Sequence, residues 1–387
     1  MDATVGSQLD AALTALEEQQ TRDRQRMEEV TSAHSGWIED LQTRLAVLER
    51  PEPPAEPPVR LFVPHPGNIA PEGDSRVESL CHLVDEVWLT GGLREKAQAM
   101  RGLGVTVLRF VSTLSEEQTP IGSVAKDAAG NEVRLRYFPD HRCSDILTAG
   151  NAARKARAIV AAGDYGDGQM LDDWSLSCQE RGVLTSDPVG YTHPEWNSAL
   201  EKIAADVLAI AGCATLNVGR VVGPNTLGRS HVDIINALFD PPVGVPRVFD
   251  EHFPQARPGW SLLTAVQERL KCRAPLDCYV AVPNLPREDW IGQVSHAAAL
   301  FLAIRKPGDA FGISADPESS WTSRDQQVDL TLDLLGEFGA YVRRMANDLG
   351  TRQSLALPTD AEHPWLEAVF SGGMVRVNLA AYKWEVL

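Results

Sequence analysis

From Val59 onward the chain alternates two hydrophobic patterns. Short apolar, β-rich segments recur as VRLFVPH (59–65), EVWLT (86–90), VTVLRFV (105–111), QMLDD (169–173), ATLNVG (214–219), RVFDE (247–251), CYVAVPN (278–284) and AFGISA (310–315). Between them lie stretches with helical spacing, such as HPEWNSALEKIAADVLAIAG, in which Leu200, Ile203, Ala204, Val207 and Leu208 fall on one face. Eight strands, each followed by a helix, predict an α/β fold: a closed parallel (β/α)8 barrel of the TIM type.

The first fifty residues follow a different rule. Leu9, Leu13, Leu16, Gln20, Asp23, Met27, Val30, His34 and Trp37 alternate spacings of four and three, the a/d seam of a heptad, and the phase restarts at Ile38, Leu41, Leu45 and Leu48 after a four-residue stutter. Leu45 and Leu48 at a and d place Arg44 at g and Glu49 at e, where an interchain ion pair covers the apolar layer, as in trimeric coiled coils. RPEPPAEPPVR (50–60) then carries five prolines, which favour an extended spacer. The expected organisation is an N-terminal anchor and trimeric coiled coil over 1–50, a proline-rich linker over 51–58, a barrel over 59–350 and a small C-terminal β-module over 351–387.

Composition narrows the function. A net charge of -17 lacks the clustered basic face that a nucleic-acid partner needs. No apolar run reaches the roughly 18 residues of a membrane span, and the N-terminus has no basic and apolar leader, so a soluble protein without a visible export signal is expected. Six cysteines (Cys81, Cys143, Cys178, Cys213, Cys272, Cys278) are scattered without C-x-x-C spacing, which predicts reduced, mostly buried thiols, with a Cys272–Cys278 bridge as the alternative. No metal site and no cofactor are expected. Neither a G-x-S-x-G elbow, a P-loop lysine motif nor H-E-x-x-H occurs.

In such a barrel the active site forms at the carboxyl ends of the strands, so a polar residue ending a buried strand is a candidate. Asp172 and Asp173 end the fourth strand, Asn217 the fifth, Asp250 and Glu251 the sixth and Asn284 the seventh; His65, Trp88 and Arg109 hold comparable places on the first three. Because side chains alternate along a strand, one of Asp172/Asp173 and one of Asp250/Glu251 is expected to face the centre. An acid on strand four opposite one on strand six suits glycoside cleavage, where one carboxylate stabilises or attacks an oxocarbenium-like carbon and the other protonates the leaving oxygen. Trp88, Trp174, Tyr191, Trp196, Trp260, Trp290 and Trp321 fall near strand ends or the loops and helix starts after them, where aromatic faces could stack on sugar rings.

Three segments carry a resemblance. GDYGDGQMLDDW resembles the GfDGiflDn segment on strand four of the glycoside-hydrolase-like (β/α)8 barrel family, preceded in the same order by a turn, a polar extended stretch and a helix (DAAGNEVRLRYFPDHRCSDILTAGNAARKARAIVAA). VFDEHF is similar to the family's strand-six segment with its single glutamate. WLEAVFSGGMVRVNLAAYKWEVL resembles its closing β-module, R-x-F-x-x-G-x-V-x-V-N, although Glu367 stands where arginine is usual and no proline follows Asn378. The match spans about Val59 to Leu387. It implies Asp172 as the strand-four carboxylate and Glu251 as the strand-six acid, with Asp173, Trp174, Asn217, His65, Trp88, Arg109 and Asn284 as substrate-binding candidates. The expectation is a stalked, trimeric, carbohydrate-directed protein on a virion or particle surface, built as a fibre or spike, that binds a host polysaccharide, with cleavage of that polymer as the further expectation. The alternatives are a non-catalytic glycan-binding adhesin and a cytoplasmic bacterial oligomeric glycosidase.

Overall fold

A computed structural model describes residues 58–64, 75–90, 94–136, 138–162, 166–173, 184–211, 214–217, 231–240, 244, 246–251, 253–254, 260–316, 319, 323–359 and 363–387. The chain divides into two units, Met1–Ala55 and Glu56–Leu387, and every described residue belongs to the second. The expected anchor, coiled coil and, apart from Pro58, the proline spacer lie outside the described residues.

Eight parallel strands close into a barrel in chain order: β1 (Arg60–Pro64), β2 (Glu86–Thr90), β3 (Thr106–Ser112), β4 (Gly168–Asp172), β5 (Ala214–Asn217), β6 (Arg247–Asp250), β7 (Leu276–Val282) and β8 (Ala310–Ala315). Pairing of Leu61 with Phe311 and Phe62 with Gly312 shuts the ring. A helix follows each strand: α1 (Ser75–Leu83), α2 (Arg94–Gly102), α3 (Asn151–Ala162), α4 (His193–Ala211), α5 (His231–Phe239), α6 (Trp260–Lys271), α7 (Arg287–Ile304) and α8 (Arg324–Leu334). These strands are buried on both faces, as crossover helices require. One face packs on helices, as with Leu61, Val87, Val107, Leu171 and Val248; the alternate residues fill the barrel.

The filling is layered. At the amino end Arg60 donates to Glu86 Oε2 at 2.8 Å and to Asp277 Oδ1 at 2.6 Å, and Arg247 donates to Glu86 Oε1 at 3.0 Å. Burial lifts Glu86 to about 7 and Asp277 to about 6, and Arg60 pulls both back down. Above this floor Phe62 stacks on Trp88 with ring centres 4.7 Å apart, Phe249 meets Trp88 edge-on at 4.7 Å, and Leu108, Met170 and Tyr279 complete the layer. Gly312 makes the stack possible, since a Cβ there would sit 2.6 Å from the Phe62 ring.

The expected C-terminal β-module is a four-stranded antiparallel sheet in the order β12-β11-β10-β9, with β9 Arg352–Ala356, β10 Trp365–Phe370, β11 Gly373–Asn378 and β12 Lys383–Val386. It packs on α7, which is buried on nearly every side from Val294 to Ile304, and His296 of α7 donates its Nε2 proton to the Asn378 carbonyl at 2.9 Å. Glu367, where the resemblance leads one to expect arginine, faces Arg376 across the β10–β11 pair and accepts its Nε proton at 2.8 Å. Cys81, Cys143, Cys272 and Cys278 are buried free thiols, so the alternative Cys272–Cys278 bridge is not formed. Among the described residues no helix is long and apolar enough to cross a membrane.

Candidate active site at the barrel mouth

Strand alternation sorts the candidates at the carboxyl ends. On β6, Phe249 faces the interior with Trp88, so the next residue must face out. Asp250 does: it is 0% exposed and forms a two-point pair with the 1%-exposed Arg269 of α6, Nε to Oδ2 at 2.5 Å and Nη2 to Oδ1 at 3.2 Å. The Phe253 ring covers that guanidinium at 4.9 Å. Continued one residue, the alternation puts Glu251, which is partly exposed, on Phe249's side at the mouth.

On β4 the interior residues are Gly168 and Met170, and Asp172 ends the strand in the same phase, partly exposed. It is in register with Ser112 at the end of β3, and its carbonyl accepts the Thr113 N–H at 2.8 Å. A regular strand would next turn Asp173 outward. Instead Asp173 has φ 53°, a left-handed conformation that few residues other than glycine adopt, and its carboxylate accepts the Ser112 hydroxyl proton. Asp172 and Asp173 therefore both flank Ser112, and the expectation that one of them faces away from the centre is corrected by this kink. Burial raises the Asp173 carboxyl above the usual aspartate range, and the Ser112 hydrogen bond and nearby His141 pull it partly back.

Ser112 is held by the β3–α3 insertion. The Ser115 N–H donates to Ser112 Oγ at 3.1 Å, the Ser112 N–H donates to Gln118 Oε1 at 2.9 Å, and Ser115 Oγ lies 3.1 Å from His141 Nδ1. Lys155 of α3, 0% exposed, ties the loop down: its ammonium donates to the Ser115 carbonyl at 2.6 Å, the Thr119 carbonyl at 2.7 Å and Ser144 Oγ at 2.7 Å. Burial pushes Lys155 down to about 7 while Glu116 pulls it up, and three acceptors match the three protons of the charged form. Glu116 is buried as well, accepting Ser144 Oγ at 2.6 Å and the Ile121 N–H at 2.9 Å.

Several sequence candidates stand elsewhere. Trp88 has no exposed surface and donates its indole proton to Glu86 at 2.7 Å, so the expectation that it lines the mouth is corrected: its place on the interior face, one layer below, makes it barrel filling. Arg109 is fourth of seven residues in β3 and shares register with Leu89 and Gln169, which puts it mid-strand on the helix-facing side rather than at the mouth. Asn284 lies in the exposed turn beyond β7, whose end is Val282. Trp196 and Trp290 are buried packing residues. Asn217 ends β5 in phase with Thr215, and its side chain lies outside the described residues, as do His65, Trp174, Trp321 and the side chain of Trp260. Ser112, Lys155 and Glu116 escaped the sequence reading. Lys155 alone had a signal, a charge on the apolar face made by Ala152, Ala156 and Ile159.

A cleft of about 840 Å³ lies between the insertion near Val124 and Ile146, the Val189 turn and α4 near Ala199. Among the described residues no aromatic side chain lines it, and its acids Asp145 and Glu195 cap local turns through Thr148 and Thr192. The mouth, with acids at the ends of β4 and β6, is the site the fold favours.

The fold and site define a (β/α)8 barrel with an acidic mouth. No protein-family model and no curated protein sequence match the chain. Solved structures similar to it include the glycoside hydrolase domain of PelA from Pseudomonas aeruginosa, 12% identical over 69% of this chain and 98% of that one with a TM-score of 0.40. Ega3 from Aspergillus fumigatus in complex with galactosamine is 11% identical over 69% and 95%, with a TM-score of 0.40. An α-amylase from Lactobacillus plantarum is 11% identical over 82% and 87%, with a TM-score of 0.48. The residue assignments rest on strand geometry and not on these likenesses.

Proposed function

We propose that the barrel mouth binds a polysaccharide and hydrolyses its glycosidic bonds, with Asp172 and Glu251 as the carboxylate pair. The observation that supports this most is the sorting of the acids: Asp250 is committed to Arg269 outside the barrel, while Asp172 and Glu251 keep the interior phase at the ends of β4 and β6. In this reading Asp172 faces the anomeric carbon as nucleophile or stabilising charge, and Glu251 protonates the departing oxygen. Asn217 ends β5, the strand between them. The heptad seam over residues 9–48 and the Arg44/Glu49 flank support trimeric display of the barrel through a proline spacer, as on a particle surface.

The test is Glu251→Gln, nearly isosteric and without the transferable proton. Turnover of a polysaccharide that the unaltered protein shortens is expected to fall by on the order of 10² to 10⁴ with affinity retained. Unchanged turnover would remove Glu251 as the acid. Binding without turnover in the unaltered protein would make the chain an adhesin.

A further inference from the structure

Sugar stacking needs an exposed aromatic face, and the described tryptophans of the barrel layer, Trp88, Trp196 and Trp290, are all buried. The β3–α3 insertion supplies another. Phe138 is 49% exposed, one of two rings, with Tyr382 at 43%, among the exposed large apolar side chains of the described residues, and it stacks on His141 with ring centres 5.6 Å apart and planes at 28°. Nothing in the barrel requires this pair, since Phe138 belongs to neither apolar cluster. The stack is nonetheless held in place. The Phe138 carbonyl accepts the His141 N–H at 2.8 Å, the His141 carbonyl accepts the Leu135 N–H at 2.9 Å, and the bridge between Arg134 and Arg142 closes the hairpin around it.

Its position follows from contacts already described. His141 Nδ1 meets Ser115 Oγ, the Ser115 N–H meets Ser112 Oγ, and the Ser112 hydroxyl meets Asp173, next to Asp172. A rigid aromatic face is thus tied by three successive contacts to the end of β4. We infer that the Phe138–His141 stack is a sugar-ring platform at the rim of the mouth, taking the apolar C–H face of a pyranose unit beyond the cleaved bond. The inference rests on the proposed polysaccharide reading and assigns to it a subsite on the insertion. An aromatic ring presented with its partner already stacked loses little freedom when a ligand covers it, which suits a platform better than an isolated side chain.

The experiment measures retardation of the full chain in native gels cast with dextran, soluble starch, chitosan or alginate. The Glu251→Gln background keeps the polymer intact. With a polymer that retards this protein, adding Phe138→Ala is expected to weaken apparent affinity by about three- to tenfold, the size of one aromatic contact, and Phe138→Trp to restore it. Both rings are exposed, so thermal unfolding should be unmoved, which separates lost stacking from lost fold. Retardation unchanged by Phe138→Ala, or Phe138→Trp no better than Phe138→Ala, would overturn the platform and leave the proposed function standing. A protein retarded by none of the four polymers would overturn both.

Discussion

The ends of β4 and β6 begin from the same sequence pattern, two adjacent acids closing an apolar strand, and the fold resolves it in opposite ways. At β6 the strand ends at Asp250, and this outward acid finds a buried guanidinium waiting on α6. At β4 the backbone breaks into a left-handed turn, and Asp173 is drawn back to a neutral hydroxyl beside Asp172. An arginine placed outside fixes Asp250 as structure, while its neighbour Glu251 stays partly exposed beyond the strand end. A kink at β4 brings Asp173 beside Asp172, where burial raises its carboxyl and the Ser112 hydrogen bond and His141 pull it only partly back. The β6 pair spends its extra charge on stability, whereas the β4 pair keeps its extra charge near the proposed chemistry.

The largest effect expected from this contrast is at β6. Asp250→Asn preserves shape but leaves the Arg269 charge buried against a neutral amide, and removing one partner of a buried pair costs about 3–5 kcal/mol. With Asp250 and Arg269 both essentially unexposed, solvent cannot screen the loss. Urea unfolding should therefore show a lower midpoint with little change in slope. A loss under about 1 kcal/mol would mean that Phe253 and the remaining dipoles hold the guanidinium, since the Phe253 ring lies 4.9 Å beneath it.

How much of this was legible in the sequence differs along the chain. The strands were, because a parallel barrel demands runs buried on both faces: β2 and β8 have the expected limits, and β1 and β4 differ from them by one residue. Strand β7 begins and ends two residues earlier than CYVAVPN suggests, because Leu276 and Asp277 already pair with β6 and β8, and Asn284 accordingly falls in a turn. Polar residues inside strands were misleading. Arg109 and Trp88 read as mouth residues when only the segment was counted, but their positions are set by phase and depth, which require register against neighbours such as Leu89 and Leu108. Alternation alone could not say which acid of each pair faces inward, because Asp250 is sorted by a partner nineteen residues away and Asp173 by a backbone kink. The platform was hidden for a related reason: Phe138 sits beside Tyr137 in a polar loop, and its exposure is a property of the folded insertion.

A middle-sized effect probes what lies beneath both acids. Gly312 sits on β8 inside the barrel, where a glycine in a strand marks close approach. In Gly312→Ala the new methyl would meet three Phe62 ring atoms at 2.6 to 2.8 Å, so the Phe62–Trp88–Phe249 layer must shift. Overpacking of this kind costs about 1–3 kcal/mol. Phe249 is two residues before Glu251 and Met170 two before Asp172, so turnover should drop along with the thermal midpoint. Loss of stability without any change in turnover would show that the mouth is insulated from the layer below it.

The smallest effect is the most discriminating, because it is the same substitution as at β6 with the opposite expected sign. Burial holds the Asp173 carboxyl above its ordinary range, so the folded state binds this proton more tightly than the unfolded one. Such a group contributes stability below the unfolded pKa and loses that contribution as pH rises through the raised folded value. At pH 7 the ionised Asp173 is then a net cost, which Asp173→Asn removes. Asparagine is also among the residues most at ease at φ 53°, and its side-chain oxygen can still accept the Ser112 hydroxyl proton. Asp173→Asn is therefore expected to be more stable than the unaltered protein at pH 7, with the gap closing as pH falls through the raised folded value toward the ordinary aspartate range. Denaturation midpoints at pH 7 and at pH 4.5 measure both the sign and the closure. A gap of the opposite sign, or one that ignores pH, would mean that the charge on Asp173 is compensated as fully as that on Asp250, and the two acidic pairs would then be built alike.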